Sequence, residues 1–108
     1  MAAYSENDSW IVEAGGDAVE KKARDGDNSL SSVEKLIYCL WVADYGMRNA
    51  GDLDTAADVY AAFQEEAASL AKDLSLNFTH ETFSLPKELL EQQYFERFEQ
   101  VCEEIKKA

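Results

Sequence analysis

The stretch Ser31-Ser32-Val33-Glu34-Lys35-Leu36-Ile37-Tyr38-Cys39-Leu40-Trp41-Val42-Ala43 decides the fold class. It opens on a Ser-x-x-Glu capping box, with Ser31 as N-cap and Glu34 at the third helical position. From Val33 to Met47 the residues are apolar almost all round a helix. Such a helix is buried on nearly every side. The pattern predicts a central helix over about residues 32–48, with the rest of the chain packed around it. Asn49-Ala50-Gly51 ends it, because asparagine or glycine suits a left-handed cap.

Working outward, Asp52 or Asp54 starts a third block that runs to about Leu74. Leu53, Ala56, Tyr60, Phe63, Ala67, Leu70 and Leu74 fall within about 100° on one helical wheel, so they form its core face. Asp54, Asp58 and Glu65 gather within about 40° on the other side. Residues 75–83 read as a connection, with Leu76, Phe78 and Phe83 tucked onto the core. Ser84 then caps a last helix with Pro86 in its first turn, where a missing N–H does no harm. Leu90, Tyr94, Phe98, Val101 and Ile105 make its buried stripe, and Glu96, Glu99 and Glu103 its outer ridge. Lys106 and Lys107 suit the negative end of the helix dipole.

Upstream, Asp8 or Ser9 caps a first helix over residues 9–24, with residues 1–8 flexible before it. Gly15-Gly16 weakens this helix by about 1 kcal/mol per glycine relative to alanine. Asp17-Ala18-Val19-Glu20 offers a second capping box. A broken or kinked helix is therefore expected, with a short strand at residues 10–12 as the alternative. Asp25-Gly26-Asp27-Asn28 is a stop. Together these blocks predict one all-α domain, a compact bundle of four or five helices.

Acidic residues outnumber basic ones 22 to 10, for a net charge of −12 over 108 residues. The excess is spread along the chain and belongs to the folded body. Such a surface repels nucleic acid and anionic membranes and favours basic partners. It also serves solubility. The residues from Met1 to Glu6 lack the basic start and apolar run of a signal peptide. The longest apolar run is far short of a membrane span. Cys39 and Cys102 sit in apolar runs, where a free cysteine acts as a small hydrophobe. A cytoplasmic location is expected, with no membrane partner and no direct binding of nucleic acid.

Catalytic and metal-binding patterns are sparse. His80 stands alone in the polar run Asn77-Phe78-Thr79-His80-Glu81 and reads as exposed. Adjacent acids such as Glu65-Glu66 and Glu103-Glu104 diverge on a helix and do not chelate together. Asp52-Leu53-Asp54 lacks the central glycine and closing glutamate of a calcium loop, so these aspartates read as caps. No cofactor or metal is expected, and an enzyme using Asp44, His80 or Glu81 is the least favoured reading. One polar constellation interrupts the pattern: Asp44, with Arg48 four residues on, then Asn49 and Asp52. A charge on a buried helix is normally paired, so this group reads as a structural cluster around the turn, with a turn that contacts a partner or a second subunit as the alternative.

Val33-Glu34-Lys35-Leu36-Ile37-Tyr38, with Asp44-Tyr45-Gly46-Met47-Arg48-Asn49-Ala50-Gly51 and the tail from Leu89 to Ile105, resembles the acidic helical DNA-mimic family that carries an Asn-Gly-Gly-Phe turn after an apolar helix. Here the turn is Asn49-Ala50-Gly51-Asp52, so only Asn49 and Gly51 match. The resemblance implies a dimeric acidic protein that binds a DNA-binding protein in place of DNA. Charge and resemblance together point to a non-enzymatic protein that binds and inhibits a basic protein partner, either a DNA-binding regulator or a nuclease toxin. Asp54, Asp58, Glu65, Glu96, Glu99 and Glu103 are the expected contacts. The alternative is an assembly module that forms a homodimer through apolar surface on the first helix.

Overall fold

The capping box at Ser31 forms as read. The Glu34 N–H donates to Ser31 Oγ at 3.1 Å, and the Ser31 N–H donates to Glu34 Oε1 at 2.9 Å. The computed structural model describes residues 5–108 apart from the side chain of Asp27. Its elements are α1 (Glu6–Asp25), a 3-10 turn (Asp27–Ser29), α2 (Ser32–Ala50), α3 (Leu53–Val59), α4 (Phe63–Asp73), α5 (Asn77–Phe83) and α6 (Lys87–Lys106). The fold is an all-α bundle, and no strand occurs among the described residues. Its Cα radius of gyration is 12.7 Å, close to the ~13 Å of a folded chain of this size.

α2 is the central helix. It packs against α1, α3, α4 and α6, and Leu36, Cys39, Leu40, Val42, Ala43 and Met47 are buried. Gly51 closes it in the left-handed region at φ 73°, donating to Gly46 and Met47 carbonyls. All five apolar residues expected on the inner stripe of the last helix are buried as well.

Four expectations need correction. The first helix neither starts at Ser9 nor breaks at Gly15-Gly16. Ser5 caps it in a box with Asp8, so residues 6–8 are helical; residues 1–4 of the segment expected to be flexible lie outside the described residues. α1 then runs unbroken because Gly15 is a contact point. A Cβ there would lie 2.6 Å from Trp41 Cγ, so the bare backbone lets α1 close onto α2.

The third block is two helices. Tyr60 is extended, at φ −152° and ψ 101°. A continuous helix from Leu53 to Leu74 would run about 33 Å, longer than the ~28 Å of α2. The break lets both halves pack on α2. Residues 77–83 are helical instead of a connection, because their N-terminal N–H groups find a distant acceptor on α6. Finally, Pro86, not Ser84, stands at the cap position of α6, and no side-chain cap bond forms there. The bundle therefore holds six α-helices among the described residues, more than the four or five expected.

Candidate functional site

Many of the acids have work inside the fold. Asp8 and Glu34 complete capping boxes, and Asp52 caps α3 by accepting from the Thr55 N–H at 2.8 Å. Two glutamates of α6 cap helices distant in sequence. Glu91 accepts from the Leu53 N–H at 2.7 Å, at the start of α3. Glu104 accepts from the Phe78 and Thr79 N–H groups at 3.1 and 2.6 Å, at the start of α5. A carboxylate at a helix N-terminus meets unsatisfied donors and the positive end of the dipole. Backbone bonding, from Ser31 to Glu34 and from Thr55 to Asp52, holds both carboxyls below their ordinary range.

The six expected contact residues divide in half. Asp54 is exposed but pairs with Lys87. Glu99 accepts from Ser5 Oγ at 2.8 Å and from Asn7 Nδ2 at 2.7 Å, and Glu103 accepts from the same amide at 3.1 Å. The Asn7 amide, helped by Lys106, holds the Glu103 carboxyl below its usual value. These two glutamates fasten the start of α1 to α6. Asp58, Glu65 and Glu96 are exposed, and their side chains bond to no other described residue. The break at Tyr60 also places Asp54 and Asp58 on α3 and Glu65 on α4, so the three do not share one helix face. Glu65 lines an open groove with Ala61, Gln64, Ala68, Phe83 and Ser84.

The polar constellation is larger than expected at one end and smaller at the other. Asp44 is buried at 5% exposure. Both of its carboxylate oxygens accept from Arg48 Nε at 2.9 Å, and Oδ1 also accepts from the Tyr94 hydroxyl at 2.8 Å. Arg48 reaches on to Asp8 of α1. Burial disfavours the Arg48 charge, but Asp44 and Asp8 hold its pKa above the ordinary value. Burial and then the Asp44 charge push the Tyr94 hydroxyl well up. Burial works to raise the Asp8 carboxyl, and the Ser5 N–H and the Arg48 charge outweigh it. Asp8 and Tyr94 were not legible as partners, since they lie 36 and 50 residues from Asp44 in sequence with no local pattern linking them. Asn49 and Asp52 stay apart from this cluster. Asn49 donates to the Tyr45 carbonyl at 2.8 Å, and Asp52 serves α3.

His80 is not an exposed loop residue. It lies on α5, half-buried, with Nδ1 2.9 Å from the Ala68 carbonyl. A carbonyl only accepts, so Nδ1 carries the proton. Asp44, on α2, faces Tyr94 of α6, His80 lies against α4, and Glu81 is beside Arg97 of α6 at 3.9 Å. None of the three lines either of two surface cavities. The more enclosed of these holds Lys22, whose Nζ sits 4.2 Å and 4.6 Å from the ring centroids of Tyr38 and Tyr60. Cys39 and Cys102 are buried and free, and burial raises each thiol to about 12. Such thiols are not nucleophiles at neutral pH. No group of three or more metal-ligating side chains stands together among the described residues, and no helix is long and apolar enough to cross a membrane. No protein-family model matches the chain, and no curated protein or solved structure compared with it is significantly similar.

Proposed function

We propose that this chain is a non-enzymatic acidic interaction protein that binds and inhibits a basic partner, a DNA-binding protein or a nuclease toxin, in the cytoplasm. The observation that carries the reading is the division among its acids. Many are consumed by caps and internal pairs, whereas Asp58, Glu65 and Glu96 stand exposed with no partner in the described fold. On a body of net charge −12, they attract a cationic surface. Long-range attraction of this kind speeds association and weakens with salt. Two buried thiols suit a reducing compartment.

Capture from an extract of the native cell at low salt, followed by elution with rising salt, tests this. The retained proteins should be basic and should elute below about 0.5 M salt, where screening is short-ranged. Retention of acidic and neutral proteins in their ordinary proportions would contradict it. A second reading is a homodimeric assembly module acting through α1, which carries Val12 at 54% exposure. Light scattering across a concentration series tests the module, since a strict monomer removes it.

A further inference from the structure

Three of the large apolar side chains that remain exposed belong to one place. Val12 is 54%, Tyr45 43% and Phe95 51% exposed. α1 and α2 meet along matched stripes. Gly15 packs on Trp41 at one end, and Asp8 pairs with Arg48 at the other. Val12 falls between Asp8 and Gly15 on its stripe, and Tyr45 falls between Trp41 and Arg48 on the other, at the same helical spacing. The Trp41 and Tyr45 rings stack at 5.9 Å. Phe95 of α6 closes the third side, with the Arg48 guanidinium 5.5 Å from its centroid. Tyr45 and Phe95 thus flank a half-exposed Arg48, and Val12 lies one turn along α1 from Asp8, the partner of Arg48.

We propose that this patch is a docking surface for a segment that alternates apolar and basic side chains, such as one face of a basic amphipathic helix. The charges choose the occupant. Arg48 is outweighed by Asp8 and Asp44, which it binds, and by Glu91 and Glu99, one turn to either side of Phe95, whose bonds go to neutral donors and leave their charge in place. An apolar centre within an acidic surround complements an apolar segment rimmed with lysine or arginine. A second copy of this chain would set the same negative patch against itself, on bodies of −12 each. Aromatic side chains at the centre of such a patch are where binding energy concentrates. The inference rests on the basic-partner reading and adds where the partner's apolar side chains go.

The test is an NMR titration of the full chain with a helical peptide of leucine and lysine, beside a peptide in which alanine replaces leucine. The amides at and next to Val12, Tyr45 and Phe95 should shift and saturate. The leucine peptide should bind about tenfold more tightly than the alanine one. A variant carrying Val12→Ser and Phe95→Ser alters only exposed side chains, so its circular dichroism should match the parent. It should bind both peptides alike. Equal binding of the two peptides by the parent, with shifts centred on Asp58, Glu65 and Glu96, would overturn the docking surface and leave the basic-partner reading standing. Failure of both peptides to bind at low salt would overturn both. Concentration-dependent shifts at Val12, Tyr45 and Phe95 without peptide would give the surface to a second copy and overturn the proposal.

Discussion

Gly15 and Gly16 are neighbours with opposite roles. A Cβ at Gly15 would strike the Trp41 side chain, whereas one at Gly16 meets nothing within 4 Å. Gly15→Ala should therefore destabilise the protein by about 1–3 kcal/mol, as overpacking does. Gly16→Ala should stabilise it by about 0.5–1 kcal/mol through helix propensity. Urea denaturation of the two variants checks both signs. The sequence could show that a glycine pair sits in a helical pattern, but not that one of the pair is a contact. That depends on which residue of α2 arrives there. Asp44 repeats the lesson. Its pairing with Arg48 was legible from the i, i+4 spacing, but the Tyr94 hydroxyl was not. Asp44→Ala leaves Arg48 and Tyr94 without their common acceptor in a buried site, and should cost about 3–5 kcal/mol. Tyr94→Phe keeps the ion pair and should cost about 1–2 kcal/mol. Thermal unfolding that ranked the two the other way round would refute this account of the cluster.

At the scale of elements, legibility followed where the caps come from. α2 has its capping box, its apolar run and its glycine stop within one stretch of chain, and its start and character were read correctly. The beginnings of α3 and α5 are completed by Glu91 and Glu104 of α6. Such caps leave no local signature, so residues 77–83 read as a loop. The boundary after α4, by contrast, falls where the apolar stripe ending at Leu74 placed it. Ser75 takes the left-handed conformation at φ 61° that glycine usually fills, and the Leu76 N–H closes on the Ala71 carbonyl at 2.8 Å. Glu104→Gln weakens the cap without emptying the space. Hydrogen exchange should quicken across Asn77–Phe83 while α2 keeps its protection, and stability should fall by about 1 kcal/mol. Uniform loss of protection would mean that α5 has no separate dependence on Glu104.

For the whole molecule, the negative charge has one use inside the fold and a second that the proposed function assigns to it, and sequence could not separate them. Composition showed an excess along the entire chain. The structure shows that Asp8, Glu34, Asp52 and Glu103 are held below their ordinary pKa values by bonds made in the fold. A carboxyl depressed on folding stabilises the protein above its unfolded value, about 4, and that stability is lost as pH falls through the folded value. The unfolding midpoint should accordingly fall below about pH 4, and Glu34→Gln should flatten that limb in thermal scans. The second use, under the proposed function, belongs to the exposed set. Its existence was legible, but three of its six expected members, Asp54, Glu99 and Glu103, turned out to be engaged within the fold. Which carboxylates are spoken for depends on contacts between helices far apart in sequence.

The most direct measurement of the central claim is the affinity for the captured basic protein, at low and high salt, of the chain carrying Asp58→Lys, Glu65→Lys and Glu96→Lys. These changes touch exposed side chains and should leave the circular dichroism unaltered. The account predicts that the variant loses binding at low salt and that the parent loses it at high salt. Parent-like affinity in the reversed variant at low salt, or parent binding that persists undiminished at high salt, would contradict it.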